Sequence, residues 1–104
     1  MRSKGNIVTT KEKVEQIFRS IDRAEISMVD VQRLTSISRE TLYKWKDGGN
    51  IKDFLRLNIM TRFASLLETA VSEGKLPLQN PLKTDERIKL LRKIIAAAAV
   101  KKVE

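Results

Sequence analysis

The chain of 104 residues contains no cysteine and no histidine. Without cysteine there are no disulfides and no thiolate chemistry. Without both there are no zinc sites of the usual kind, and the commonest general base is missing. Carboxylates alone could hold magnesium, but no clustered acidic motif is present. No metal, other cofactor or catalytic role is therefore expected, and no motif points to a small-molecule ligand. No stretch approaches the roughly 20 apolar residues that cross a bilayer. The opening MRSKGNIVTTKEK lacks the apolar run of a secretory signal, so a cytoplasmic protein with no membrane partner is expected. Aromatic residues are scarce, with one Trp and one Tyr. Both fall within SISRETLYKWKDGG, two residues apart and beside Lys44 and Lys46.

What the chain does have is basic charge. Lys and Arg number 21 against 13 Asp and Glu, a formal net charge of +8. Such an excess suits a polyanionic partner, nucleic acid foremost. Solubility, an anionic membrane surface or an acidic protein partner are the alternatives. With 41% hydrophobic and 33% charged residues, the composition is that of a soluble folded chain rather than a disordered one. The length fits one domain, or a domain with an extended tail.

The pattern along the chain is helical throughout. Residues 1–8 read as a short basic arm carrying Arg2 and Lys4. Thr9 with Glu12 makes a capping-box pair, and Val14, Ile17, Phe18 and Ile21 line one face of a helix over about 10–24. Lys11 and Lys13 read as its solvated side. Ser27 with Asp30 caps a short helix over about 28–35, with Val31 and Leu34 facing in. Ser36 interrupts it, Ser38 restarts it as an N-cap, and Gly48-Gly49 ends the second helix. Asn50 with Asp53 reads as the cap of a long helix with inward Met60, Phe63, Ala64, Leu66, Leu67, Ala70 and Val71. Its first turn, with Ile51 and Phe54, points elsewhere, which implies a bend near Asn58. Gly74 ends that helix, residues 75–83 with both prolines form a linker, and Thr84 caps a last helix. The expected fold is all-α with four to five helices. The domain spans 9–74, and the helix at 84–104 either builds an oligomer through Leu91, Ile94, Ile95 and Ala98 or docks on its own domain.

Two short helices joined by a turn, the second one polar and basic, define a helix-turn-helix at about 27–47. On a helix starting at Ser38, Leu42 and Trp45 face inward with Ile37, while Arg39, Glu40, Tyr43 and Lys44 stay outside. Trp45 thus reads as core rather than as a base-stacking group. Arg39 can donate two bonds to guanine O6 and N7, and Glu40 can accept from cytosine N4. Lys44 and Lys46 suit phosphates, the Ser38 hydroxyl and the open N–H groups of the helix start suit phosphate as well, and Tyr43 offers an exposed aromatic contact. The bland reading of Arg39 and Glu40 is an exposed helix N-terminus.

ISMVDVQRLTSISRETLYKWKDGG resembles the helix-turn-helix of the phage repressor/Cro-type DNA-binding family over about residues 27–50. The matching positions are Ser27, Val31, Ser36, Ser38, Thr41, Leu42, Lys44, Trp45 and Gly48. The chain departs from that pattern at three places. Ser36 stands where Gly is usual in the turn, Gln32 where a small Ala sits at the helix crossing, and Met28 where a Gln commonly touches phosphate. The resemblance implies double-stranded DNA binding by the second helix, commonly as a dimer on a palindrome. The expected function is a sequence-specific transcriptional regulator, such as a repressor. The alternative is a DNA-marking assembly protein, such as a phage terminase small subunit or partition adaptor, built as a larger oligomer.

Overall fold

The computed structural model describes residues 10–80 and 82–103, with side chains described as far as residue 101. The described residues form five helices and no strand: α1 (Thr10–Ala24), α2 (Met28–Thr35), α3 (Arg39–Lys46), α4 (Phe54–Ser72) and α5 (Thr84–Val103). The basic arm and the Thr9 cap lie outside the described residues.

α1 and α4 form the central pair. α1 turns Val14, Ile17, Phe18, Ile21 and Ala24 inward, and α4 meets them with Leu57, Met60, Phe63, Ala64, Leu67 and Ala70. The seam is pinned by polar groups too. Buried Ser20 donates to Glu68 Oε2 at 2.7 Å, and Arg23 Nη1 reaches the same oxygen at 2.6 Å. Each fully buried aliphatic side chain here contributes roughly 1.5–3 kcal/mol.

The helix ends are made by local chemistry. At α2 the Ser27 Oγ accepts the Asp30 N–H at 3.1 Å, and Asp30 Oδ2 accepts the Ser27 N–H at 3.0 Å, a reciprocal capping box. α3 closes with the Gly48 N–H donating to Trp45 O and the Gly49 N–H donating to Lys44 O at 2.8 Å. Gly48 is left-handed (φ +90°), and a Cβ on Gly49 would lie 2.8 Å from the Lys44 carbonyl oxygen. Both positions therefore need glycine, and together they make a Schellman ending. α4 begins later than the Asn50 pairing suggests. Its N-cap is Asp53, whose carboxylate accepts the Arg56 N–H at 3.0 Å. That bond is the main reason the Asp53 carboxyl sits below its ordinary pKa. Ile51 consequently lies outside α4, and Leu57 extends the buried face into the first turns. α4 runs as one element from Phe54 to Ser72, and Phe54 in its first turn stays exposed, pointing away from the buried face as expected. At α5 the carbonyl of Lys83 accepts the first helical bond, from Arg87 N–H at 2.8 Å, so Thr84 is already helical rather than capping.

α5 packs on both α4 and α2. Arg87 Nε donates to Asp30 Oδ2 at 3.0 Å and Arg87 Nη2 to Glu25 O at 3.3 Å. Ile88, Leu91 and Ala98 are buried, and Ile94 and Ile95 are half-buried against the same core. The apolar stripe that the sequence offers for assembly is thus covered within the chain. The segment before it packs as well: Leu76 is buried and Leu78 rests on the core.

Ser36 occupies the left-handed region (φ 65°, ψ 15°), with its N–H donating to Gln32 O at 2.7 Å. A residue with a Cβ is strained there by about 1–2 kcal/mol, while glycine loses about 0.5–1 kcal/mol more chain entropy on folding. Ser36→Gly should therefore raise stability by up to about 1 kcal/mol in urea unfolding; a clear loss would mean that this turn is not left-handed. The Asp30–Arg87 pair gives a second expectation. Asp30 is 3% exposed, so removing its cation leaves a buried carboxylate. With Arg87 itself partly exposed, Arg87→Leu should cost about 1–3 kcal/mol, and Asp30→Asn in that background should recover part of the loss. An unchanged unfolding midpoint for Arg87→Leu would show that the pair contributes nothing net.

Candidate nucleic-acid interface

The candidate surface is built by α2, residues 36–38 and α3. Thr35 Oγ1 donates to Val31 O at 2.7 Å and accepts the Ile37 N–H at 3.2 Å. That exchange directs the chain out of α2, and the buried Ile37 side chain anchors the turn. Ser38 then takes an extended conformation (φ −65°, ψ 149°) at the head of α3. Its Oγ accepts the Thr41 N–H at 3.2 Å and donates to Thr41 Oγ1 at 2.9 Å. The Ser38 hydroxyl is therefore engaged as a cap.

Period and burial agree along α3. Leu42 is 0% and Trp45 5% exposed, so both anchor the helix to the core, with α1 and α2 as its neighbours. Arg39, Glu40, Tyr43 and Lys44 share the outer surface. Tyr43 is 47% exposed. Lys44 Nζ lies 3.9 Å from Glu40 Oε1, with both side chains largely in solvent. Such a loose surface pair holds its members only weakly, so both remain available to a partner. Lys46 leans the other way. Its Nζ stands 5.8 Å from the Phe18 ring centroid, over α1, at the outer limit of a cation–π contact.

Two residues near this surface were not singled out for function by sequence reasoning. Gln32 of α2 is half-buried, and its Oε1 accepts from both the backbone N–H (3.1 Å) and Nε (3.3 Å) of Arg39. The sequence marked Gln32 only as an awkward residue at a helix crossing. A long amide there has both the reach and the acceptor to meet the start of α3, which was the available signal. Arg92 of α5 donates from Nη2 to Arg33 O at 3.3 Å, near the end of α2. No sequence spacing links positions so far apart.

Two of the grooves among the described residues flank the core. One, of about 710 Å³, runs between α1 and α4 past Ser20, Thr61, Ser65 and Glu68. The other, of about 630 Å³, lies beside Trp45, Gly48, Gly49, Ile51 and Phe54 at the end of α3. Among the described residues no group of three or more acidic, His or Cys side chains is placed to hold a metal ion, and no helix is long and apolar enough to cross a membrane. No protein-family model matches the chain, and neither does any curated protein or solved structure.

Proposed function

We propose that this protein binds double-stranded DNA sequence-specifically, as a transcriptional regulator, with α3 in the major groove. The observation that carries the reading is the division of α3. Its inner side chains, Leu42 and Trp45, are buried, while Arg39, Glu40, Tyr43 and Lys44 lie together in solvent on the opposite side. α2 supports that helix across a three-residue connection, 36–38. A helix about 10–12 Å across matches a major groove about 12 Å wide.

In this arrangement Arg39 donates to guanine and Glu40 accepts from cytosine. Lys44 and Lys46 neutralise phosphates on either side, and Tyr43 lies against the backbone. The net charge of +8 supplies the long-range attraction. A two-fold dimer would set its α3 helices about 34–36 Å apart. Because Leu91 and Ala98 are buried in their own domain, such a dimer would pair through another surface. Selection of bound fragments from random duplex DNA tests the whole reading: a palindromic consensus supports it, and recovery of no preferred sequence sinks it. A particle of eight or more subunits would favour the DNA-marking assembly protein instead.

Salt should weaken binding steeply. A dimer touching about six to ten phosphates loses affinity with a log–log slope near −0.9 per phosphate. Affinity that holds constant from low to moderate salt would rule out DNA as the partner.

Single substitutions should separate the two kinds of contact. Arg39→Ala should cost about 1–3 kcal/mol on the preferred site and relax choice at one base. Lys44→Ala should weaken preferred and random DNA alike and make the salt slope shallower by about one. Equal losses on both DNAs for Arg39→Ala would move that residue to the backbone.

A further inference from the structure

Gln32 approaches the start of α3 from α2, and one atom of it does two things. Its Oε1 accepts the Arg39 backbone N–H at 3.1 Å and the Arg39 Nε at 3.3 Å. The first bond satisfies one of the N–H groups that every helix start leaves without an intrahelical partner. The second uses one of the five N–H donors of the guanidinium. Both donors belong to one residue, so the Arg39 side chain is folded back to its own helix start as far as Nε. Among the described residues, Nη1 and Nη2 have no acceptor, and Arg39 is exposed.

We propose that Gln32 is a positioning residue, which presets the Arg39 guanidinium to offer its Nη1/Nη2 end to a guanine and thereby sets base choice at that position. The proposal rests on the DNA-binding reading of the same surface. Guanine presents O6 and N7 as neighbouring acceptors, and an arginine can meet them through two adjacent N–H groups. It can use either its Nε side or its Nη1/Nη2 end. With the Nε–H turned to Gln32, only the end remains. A long, flexible side chain held in this way has less freedom to lose on binding, and that advantage applies to a geometrically demanding partner more than to a diffuse phosphate charge. An amide is well suited to the role. Its oxygen is neutral, so Arg39 keeps its full positive charge toward the duplex, whereas a carboxylate at position 32 would cancel it.

A purely structural Gln32 would cap α3 and do nothing more, and the full-length chain can separate the two roles. In the free protein, nitrogen-15 NMR should show the Arg39 Nε–H shifted and slowly exchanging. Gln32→Met, which keeps the length but removes the acceptor, should return it to the behaviour of a solvent-exposed arginine. On DNA, the same variant should lower discrimination between the selected site and a site altered at the Arg39-contacted base by about tenfold. Affinity for random DNA and the salt slope should stay unchanged. In an Arg39→Ala background, Gln32→Met should have no further effect on discrimination. Gln32→Glu retains an acceptor, so it should keep both the Nε–H signature and the discrimination while weakening binding to all DNA.

An Nε–H indifferent to Gln32→Met overturns the positioning role. So does discrimination that survives the substitution, or a further loss of it in the Arg39→Ala background. A wild-type protein with no sequence preference overturns the DNA-binding reading, and the base-choice role with it. The NMR arm in free protein distinguishes that failure from a missing Gln32–Arg39 contact.

Discussion

The shortness of α2 and α3 governs the architecture around them. Each has eight residues, too few for a helix to persist alone in water, where about 12–15 residues are marginal. Both depend on being held from outside their own backbones. Val31, Ile37, Leu42 and Trp45 supply that hold from within the core, and the left-handed Ser36 lets the chain reverse quickly enough for all four to point inward together. The capping box at Ser27 and the Ser38 cap then fix where each helix begins. The outer surface of α3 is a consequence of this anchoring. Once Leu42 and Trp45 are buried, helical period leaves Arg39, Glu40, Tyr43 and Lys44 outside.

Asp30 extends the same control to the far end of the chain. Its Oδ2 accepts the Ser27 N–H and Arg87 Nε, each at 3.0 Å. One buried oxygen therefore caps α2 and receives α5. Arg92 on the Arg33 carbonyl continues the attachment toward the end of α2, and Lys101 pairs with Glu73 beyond α4. Held along this line, α5 turns Ile88, Leu91 and Ala98 into the domain. Among the described residues, the large apolar side chains left most open on α4 are Phe54 and Leu55, in its first turn.

The helical fold was largely legible because its signals are short in range. Capping pairs span three positions, apolar faces repeat over three or four, and glycines act on the turn that contains them. These fixed α1, α2 and α3 closely and separated Leu42 and Trp45 from Arg39 and Tyr43. Two competing acceptors blurred the start of α4. Asn50 and Asp53 both suit a cap, and the choice went to Asp53, which also pairs with Arg56.

The sequence by itself determined the all-helical class, the inward and outward sides of α3, and the excess of positive charge. Each follows from composition or from neighbours a few positions apart. Tertiary structure alone decided that Ser36 is left-handed, since serine by itself disfavours that hand and only the packing of Ile37 and α3 selects it. It also decided that the α5 stripe is buried. An apolar stripe specifies that something must cover it, but not what. The Asp30–Arg87 pair, 57 positions apart, settles the matter by placing a cation where a buried carboxylate requires one. Likewise the length and acceptor of Gln32 allow it to reach the start of α3, but only the packing of the two helices brings it onto Arg39.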